Sequence, residues 1–193
     1  MATKWGKRNG CKFASDAALR GDWLALHGLI LQGSANADCP YPASTPVRLD
    51  IVTWAKRFNS NHPNQDLIKH DLKAEVSYGT PLLHQVVMAE GLANKQSYKP
   101  GLKLLLDNGA DIDLQDKADG NTALHVACKL CRTTLIDYLL SRKANRKIEN
   151  LDGEIATDLM PRWCKTVVKA EDYYNPSINK TSTNPNDYQD DEE

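Results

Sequence analysis

Between Asp119 and Ala144 the chain reads DGNTALHVACKLCRTTLIDYLLSRKA, and its apolar residues fall into two helical sets. Leu124, Ala127, Cys128 and Cys131 recur three or four apart on one segment, as Leu135, Ile136, Leu139 and Leu140 do on the next. The spacing predicts two short amphipathic helices. Asp119-Gly120 marks a turn before them, because glycine accepts positive φ and aspartate can bond its own backbone. Thr122 stands where an N-cap belongs. Neither helix can bury its apolar face alone, so the pair has to stack on a neighbour of the same kind.

That stretch resembles an ankyrin repeat, in which a glycine turn is followed by a T-P-L-H-x-A segment, a leucine pair and Gly-Ala. The matching residues are Gly120, Thr122, Ala123, Leu124, His125 and Ala127, then Leu139-Leu140 and Lys143-Ala144. Ala123 replaces the usual proline, a mild change at a helix start. Lys143 replaces the usual glycine and favours an adjusted turn, since positive φ is unfavourable for lysine.

Further copies lie on both sides. Ala17-Ala18-Leu19-Arg20-Gly21-Asp22, Leu29-Ile30-Leu31 and Gly33-Ser34-Ala35-Asn36 resemble the rear of a repeat. Its usual front is replaced by Phe13 to Asp16, with Ser15 or Asp16 available as a cap. Trp23 reads as partly buried packing. A full unit begins at Gly79-Thr80-Pro81-Leu82-Leu83-His84 and ends with Leu105-Leu106-Asp107-Asn108-Gly109-Ala110. His84 and His125 are 41 residues apart, against 33 from Gly120 to Gly153. Seven of the eight extra residues fall near Glu90 to Lys99 and one near Ala118. Asp152 to Met160 resembles the close of an array, where Pro161 stops the first helix and Trp163, Val167 and Val168 suit a shortened second one.

Gly33 and Gly79 are 46 residues apart, so roughly 36 residues are inserted where an ordinary finger needs about ten. The proline-rich run from Cys39 to Pro46 predicts a surface loop. Ile51, Trp54, Ala55 and Phe58 mark one amphipathic helix after it, and Leu67, Ile68 and Leu72 a second.

Composition narrows the class. The chain has 193 residues, 41% of them apolar and 25% charged, with no apolar run of membrane-spanning length and no signal-like start. A cytoplasmic setting is the expectation, or a host cytosol for a translocated effector. Five cysteines, odd in number and irregularly spaced, predict reduced thiols. The net charge of −1 hides a tail at 171–193 of net −6, which leaves +5 for the rest, with Lys4, Lys7, Arg8 and Lys12 crowded at the start. Both ends read as solvated arms. Aromatics do not alternate with the basic residues, so a nucleic-acid groove has little support.

Candidate chemistry is sparse. In the ankyrin family the histidine of T-P-L-H typically bonds finger backbone, so the resemblance gives His84 and His125 a structural role. His125, Cys128 and Cys131 suggest zinc, but no second cysteine pair supplies the remaining ligands. A thiol enzyme would draw on an exposed Cys39 with His62 or His70. Phosphate-cradling glycines, G-x-S-x-G and H-E-x-x-H are all absent.

The resulting expectation is an all-α ankyrin-repeat solenoid of stacked helix-turn-helix units with a helical insertion near the N-terminal unit. A basic arm covers 1–12. The domain covers 13–170: an atypical unit at 13–36, the insertion at 37–78, repeats at 79–116 and 117–150, and a cap at 151–170. An acidic disordered tail covers 171–193. Structural positions are Gly79, Pro81, His84, Gly109, Gly120, Thr122, His125 and Gly153. The resemblance implies a non-catalytic module, monomeric and without cofactor, metal, nucleic acid or membrane. It would hold a protein partner with finger residues Asp113, Gln115, Lys117, Asp119, Arg146, Lys147, Glu149 and Asn150 and first-helix residues Gln85, Met88, Val126 and Lys129. The competing readings are an effector or targeting adaptor addressed by its tail, a steric inhibitor, and a thiol-dependent enzyme sited in the insertion.

Overall fold

A computed structural model describes residues 4–44, 46–49, 74–89, 98–161 and 164. Six helices in three pairs make up the described array: α1 (Lys4–Arg20) with α2 (Trp23–Leu31), α3 (Leu82–Ala89) with α4 (Lys99–Asp107), and α5 (Ala123–Lys129) with α6 (Thr133–Ser141). The fold is all-α, apart from one short strand pair among the described residues. The first helices stack in the order α1, α3, α5, and the second helices in the order α2, α4, α6. Central α3 is buried at every position except Met88, as its almost wholly apolar sequence requires.

Local signals explain the helix ends. Asp22 accepts the Ala25 N–H at 3.0 Å and caps α2. Pro100 stands in the first turn of α4, where the missing N–H does no harm. Five helices close with one motif, in which a residue of positive φ lets the chain fold back on the last turn. Gly21, Gly33 and Gly109 serve α1, α2 and α4, while Cys131 (φ 51°) and Lys143 (φ 68°) serve α5 and α6. Ala110 N–H to Leu105 O and Ala144 N–H to Leu139 O, both 3.0 Å, are the same bond in successive units. Lys143 therefore adopts the glycine conformation; the turn is not adjusted around it.

The N-terminal unit is larger than its pattern indicates. Residues 4–12, expected as a solvated arm, belong to α1, and Ser15 and Asp16 lie inside that helix, not at its cap. Two contacts hold the added turns. Gly10 lies so close to the Ser34 carbonyl that no side chain fits there, and Cys11 is bonded to Cys39. Trp23 does pack as expected, half-buried against the edge of Tyr98 at a centroid distance of 5.0 Å and over Gly101, where a Cβ would strike its ring. Tyr98 is fully buried and donates to the Leu19 carbonyl at 3.3 Å.

The insertion starts later than residue 37. Ala37 to Tyr41 continue the repeat, because Tyr41 N–H bonds Thr80 O at 2.8 Å as Asp116 N–H bonds Asn121 O. Extra chain leaves the first finger beyond Tyr41 and returns before Gly79. Its described base is β1 (Val47–Leu49) antiparallel to β2 (Ala74–Val76), with Val47 opposite Val76. The strand pair was not foreseen, and the two helices expected at 50–74 lie outside the described residues apart from Ala74, which belongs to β2. So do the second cap helix and the acidic tail.

Two disulfides, Cys11–Cys39 and Cys131–Cys164, overturn the expectation of reduced thiols. Spacing concealed them because each bond joins different units. Cys39 is 1% exposed, so it is no loop nucleophile. Cys131 lies beyond the end of α5, not on its apolar face.

Candidate functional site

The fingers are built by side chains that bond backbone across units. His84 Nε2–H donates to Asn121 O at 2.8 Å, and His125 Nε2–H donates to Glu154 O at 3.1 Å. Each histidine thus ties a first helix to the next finger. At the finger bases the Asp38 carboxylate accepts Asp111 N–H at 3.0 Å, and Asp113 accepts Asn145 N–H at 2.9 Å. These are equivalent positions one unit apart. Gln115 Nε2 donates to Gly120 O at 2.6 Å and to Glu149 O at 2.9 Å, closing its own finger and joining it to the next. Asn150 accepts N–H groups from Asp152 and Glu154 and donates to the Asn121 side chain at 3.2 Å. Buried backbone polar groups need such partners, and here side chains supply them.

Both histidines are fully buried, and burial lowers both pKa values. The Asn121 and Glu154 carbonyls act against that shift, followed by the Asp116 carboxylate. His125 completes a capping box: its N–H donates to Thr122 Oγ1, and its Nδ1 lies 2.8 Å from that oxygen and 3.2 Å from Thr122 N. His84 lacks the equivalent. Pro81 occupies the place of Thr122, with neither hydroxyl nor N–H to offer, and His84 Nδ1 is left buried without a partner.

The residues expected to meet a partner divide into three groups. Gln85, Val126 and Asn150 are buried, which removes them from any surface. Asp113 and Gln115 hold the fingers together with their side chains, and half-buried Arg146 lines a small apolar pocket with Leu124, Cys128 and Met160. Lys117, Asp119, Lys147, Glu149 and Lys129 are exposed, and Met88 is half-buried. The structural glycines Gly79, Gly109, Gly120 and Gly153 all have positive φ. Two large apolar residues escaped the sequence reading: Tyr78 and Leu151, each over 70% exposed at a finger turn. Periodicity cannot flag a tip residue, because fingers have no repeat of apolar positions. Asp38 could have been found by aligning it with Asp113.

No group of three or more His, Cys, Asp or Glu suited to a metal occurs among the described residues. None of the described helices is long and apolar enough to cross a membrane.

The family model for ankyrin repeats, in three copies, matches residues 83–159. Human protein phosphatase 1 regulatory subunit 27 is 35% identical over 91 residues, covering 47% of this chain and 54% of that protein. Fowlpox virus (strain NVSL) ankyrin repeat protein FPV031 is 46% identical over 105 residues, covering 54% of this chain and 26% of that protein. Human palmitoyltransferase ZDHHC17 is 37% identical over 84 residues, covering 39% of this chain and 13% of the enzyme. The chain thus spans about half or less of the length of these relatives. Stacked helix pairs and histidine-tied fingers agree with that match, and residues 83–159 are ankyrin repeats.

Proposed function

We propose that the array is a non-catalytic module that binds one protein partner across its finger tips and the adjoining ends of its first helices. The supporting observation is a division of labour among finger residues. Asp38, Asp113, Gln115, Asn150 and the two histidines spend their polar groups on holding the fingers in place. Lys117, Asp119, Lys147 and Glu149 remain exposed on the fingers, as Tyr78 and Leu151 do at finger turns. Such mixed charge together with apolar tips is the composition of a protein interface. The charges would set orientation and association rate more than affinity.

A phosphatase regulatory subunit among the similar proteins fits a role exercised through another protein. The likeness to the palmitoyltransferase covers too little of that enzyme to support an activity here. Two disulfides favour an oxidising compartment over the cytoplasm.

The test is affinity capture with the wild-type chain beside a Lys117→Glu/Lys147→Glu variant whose circular dichroism matches wild type. A partner whose capture drops at least tenfold with the variant supports the finger assignment. One captured equally by both overturns it.

A further inference from the structure

We infer that Cys128, Cys131 and Cys164 form a thiol–disulfide exchange centre that switches the covalent hold of the last full repeat on residue 164. The first observation is the seat of Cys131. It occupies the place that Gly21 holds in the first unit, since Gly21 N–H bonds Ala18 O and Asp22 N–H bonds Ala17 O, as Cys131 N–H bonds Cys128 O and Arg132 N–H bonds Ala127 O. With φ at 51°, any side chain there costs about 1 kcal/mol of backbone strain. What a cysteine gains in a glycine seat is its bond to Cys164, 33 residues further on.

The second observation is the thiol beside it. Cys128 lies three residues before Cys131, 1% exposed, and outside both disulfides. The bond from Cys131 N–H to Cys128 O at 3.1 Å closes a turn between the two residues, and the Cα atoms across such a turn lie within about 7 Å, the upper limit that a disulfide can bridge. Cys128 lines the small pocket between the last full repeat and the chain that follows it, together with Ile136, Ala156 and Met160. Cys164, fully buried, follows Met160 by four residues. All three cysteines therefore belong to the seam that joins Ala156, Met160 and Cys164 to α5 and the turn that follows it.

The step conserves disulfides. Cys128 gives its proton to solvent, and the thiolate attacks Cys131 Sγ. A Cys128–Cys131 bond forms as the Cys131–Cys164 bond breaks, and Cys164 leaves as a thiolate that takes up a proton. One disulfide and one thiol stand before and after, so no outside oxidant or reductant is consumed. Only the thiolate attacks, so exchange accelerates as pH rises.

The test uses the full chain, incubated without denaturant at pH 6.5 and 8.5, quenched with acid, and labelled with N-ethylmaleimide in urea. Trypsin cuts after Lys129, so a Cys128–Cys131 link appears as two joined peptides. The expected result is that link together with label on Cys164, several-fold more abundant at the higher pH, and neither in Cys128→Ser. A Cys164→Ser variant oxidised with glutathione disulfide should close the Cys128–Cys131 bond. Label confined to Cys128 in the wild-type chain at both pH values would overturn the proposal. So would two labelled thiols in oxidised Cys164→Ser.

Discussion

His84 donates from Nε2 to the carbonyl oxygen of Asn121 at 2.8 Å, across 37 residues of sequence, while its Nδ1 faces no partner. His125 makes the corresponding bond to Glu154 but also has Thr122 at its Nδ1. The difference is one residue, Pro81 for Thr122. Pro81→Thr should therefore stabilise the protein. Satisfying a buried acceptor is worth about 1–3 kcal/mol and a threonine cap about 1 kcal/mol. Against these, losing proline loosens the unfolded chain by about 0.4–1 kcal/mol. The expected net gain is about 1 kcal/mol or more, read as a higher urea midpoint with unchanged slope. A lower midpoint would show that the threonine does not reach Nδ1.

Both histidines have folded pKa values below the usual value near 6.5, chiefly through burial. A depressed histidine contributes stability that is complete above the unfolded pKa. As pH falls from 6.5 toward the folded values, the unfolded chain binds more protons, and stability drops by at most about 1.4 kcal/mol per pH unit for each histidine. Urea midpoints measured from pH 7 to 5 should fall, and His84→Leu should flatten that slope while lowering the plateau at pH 7. An unchanged slope in the variant would remove His84 from the titration.

The stacked pairs were readable because their signals are local: leucine spacing, glycine turns and a T-x-x-H cap lie within a few residues of one another. Pro81 was visible too, but the stretch Thr80-Pro81-Leu82-Leu83-His84 imitates the family motif with one residue too many, which hides the missing cap. The disulfides were not readable, since Cys11 meets Cys39 only after α1 turns back on the first finger. The choice among finger residues was equally hidden. Gln115 and Glu149 look alike in sequence, and only the fold shows that the first spends its side chain on Gly120 and Glu149 carbonyls.

Lys143 holds φ at 68° where α2 and α4 use Gly33 and Gly109. Its Cβ sits in a left-handed conformation that costs about 1 kcal/mol relative to glycine, more than the extra freedom glycine adds to the unfolded chain. The net gain is about a few tenths of a kcal/mol, so Lys143→Gly should raise the melting temperature by about 1 °C for a protein of this size. Its side chain is exposed, so no packing is lost. A fall in melting temperature would mean that the lysine contributes a contact stronger than the strain.

Cys39→Ser separates the two ends of the array. The Cys11–Cys39 bond closes a 28-residue separation, and a native disulfide of that span is worth about 3 kcal/mol, mostly through the unfolded chain. Without it, Gly10 still rests on Ser34, but the first turns of α1 lose their covalent tie. The expected outcome is a stability loss of about 2–4 kcal/mol, with amide exchange accelerated at the start of α1 and in Ala37 to Tyr41. Protection in α5 and α6 should stay at its wild-type value, since neighbouring units exchange energy only through their shared faces. Uniform acceleration along the whole array would show instead that the first unit nucleates the rest, and that the stack unfolds as one cooperative body.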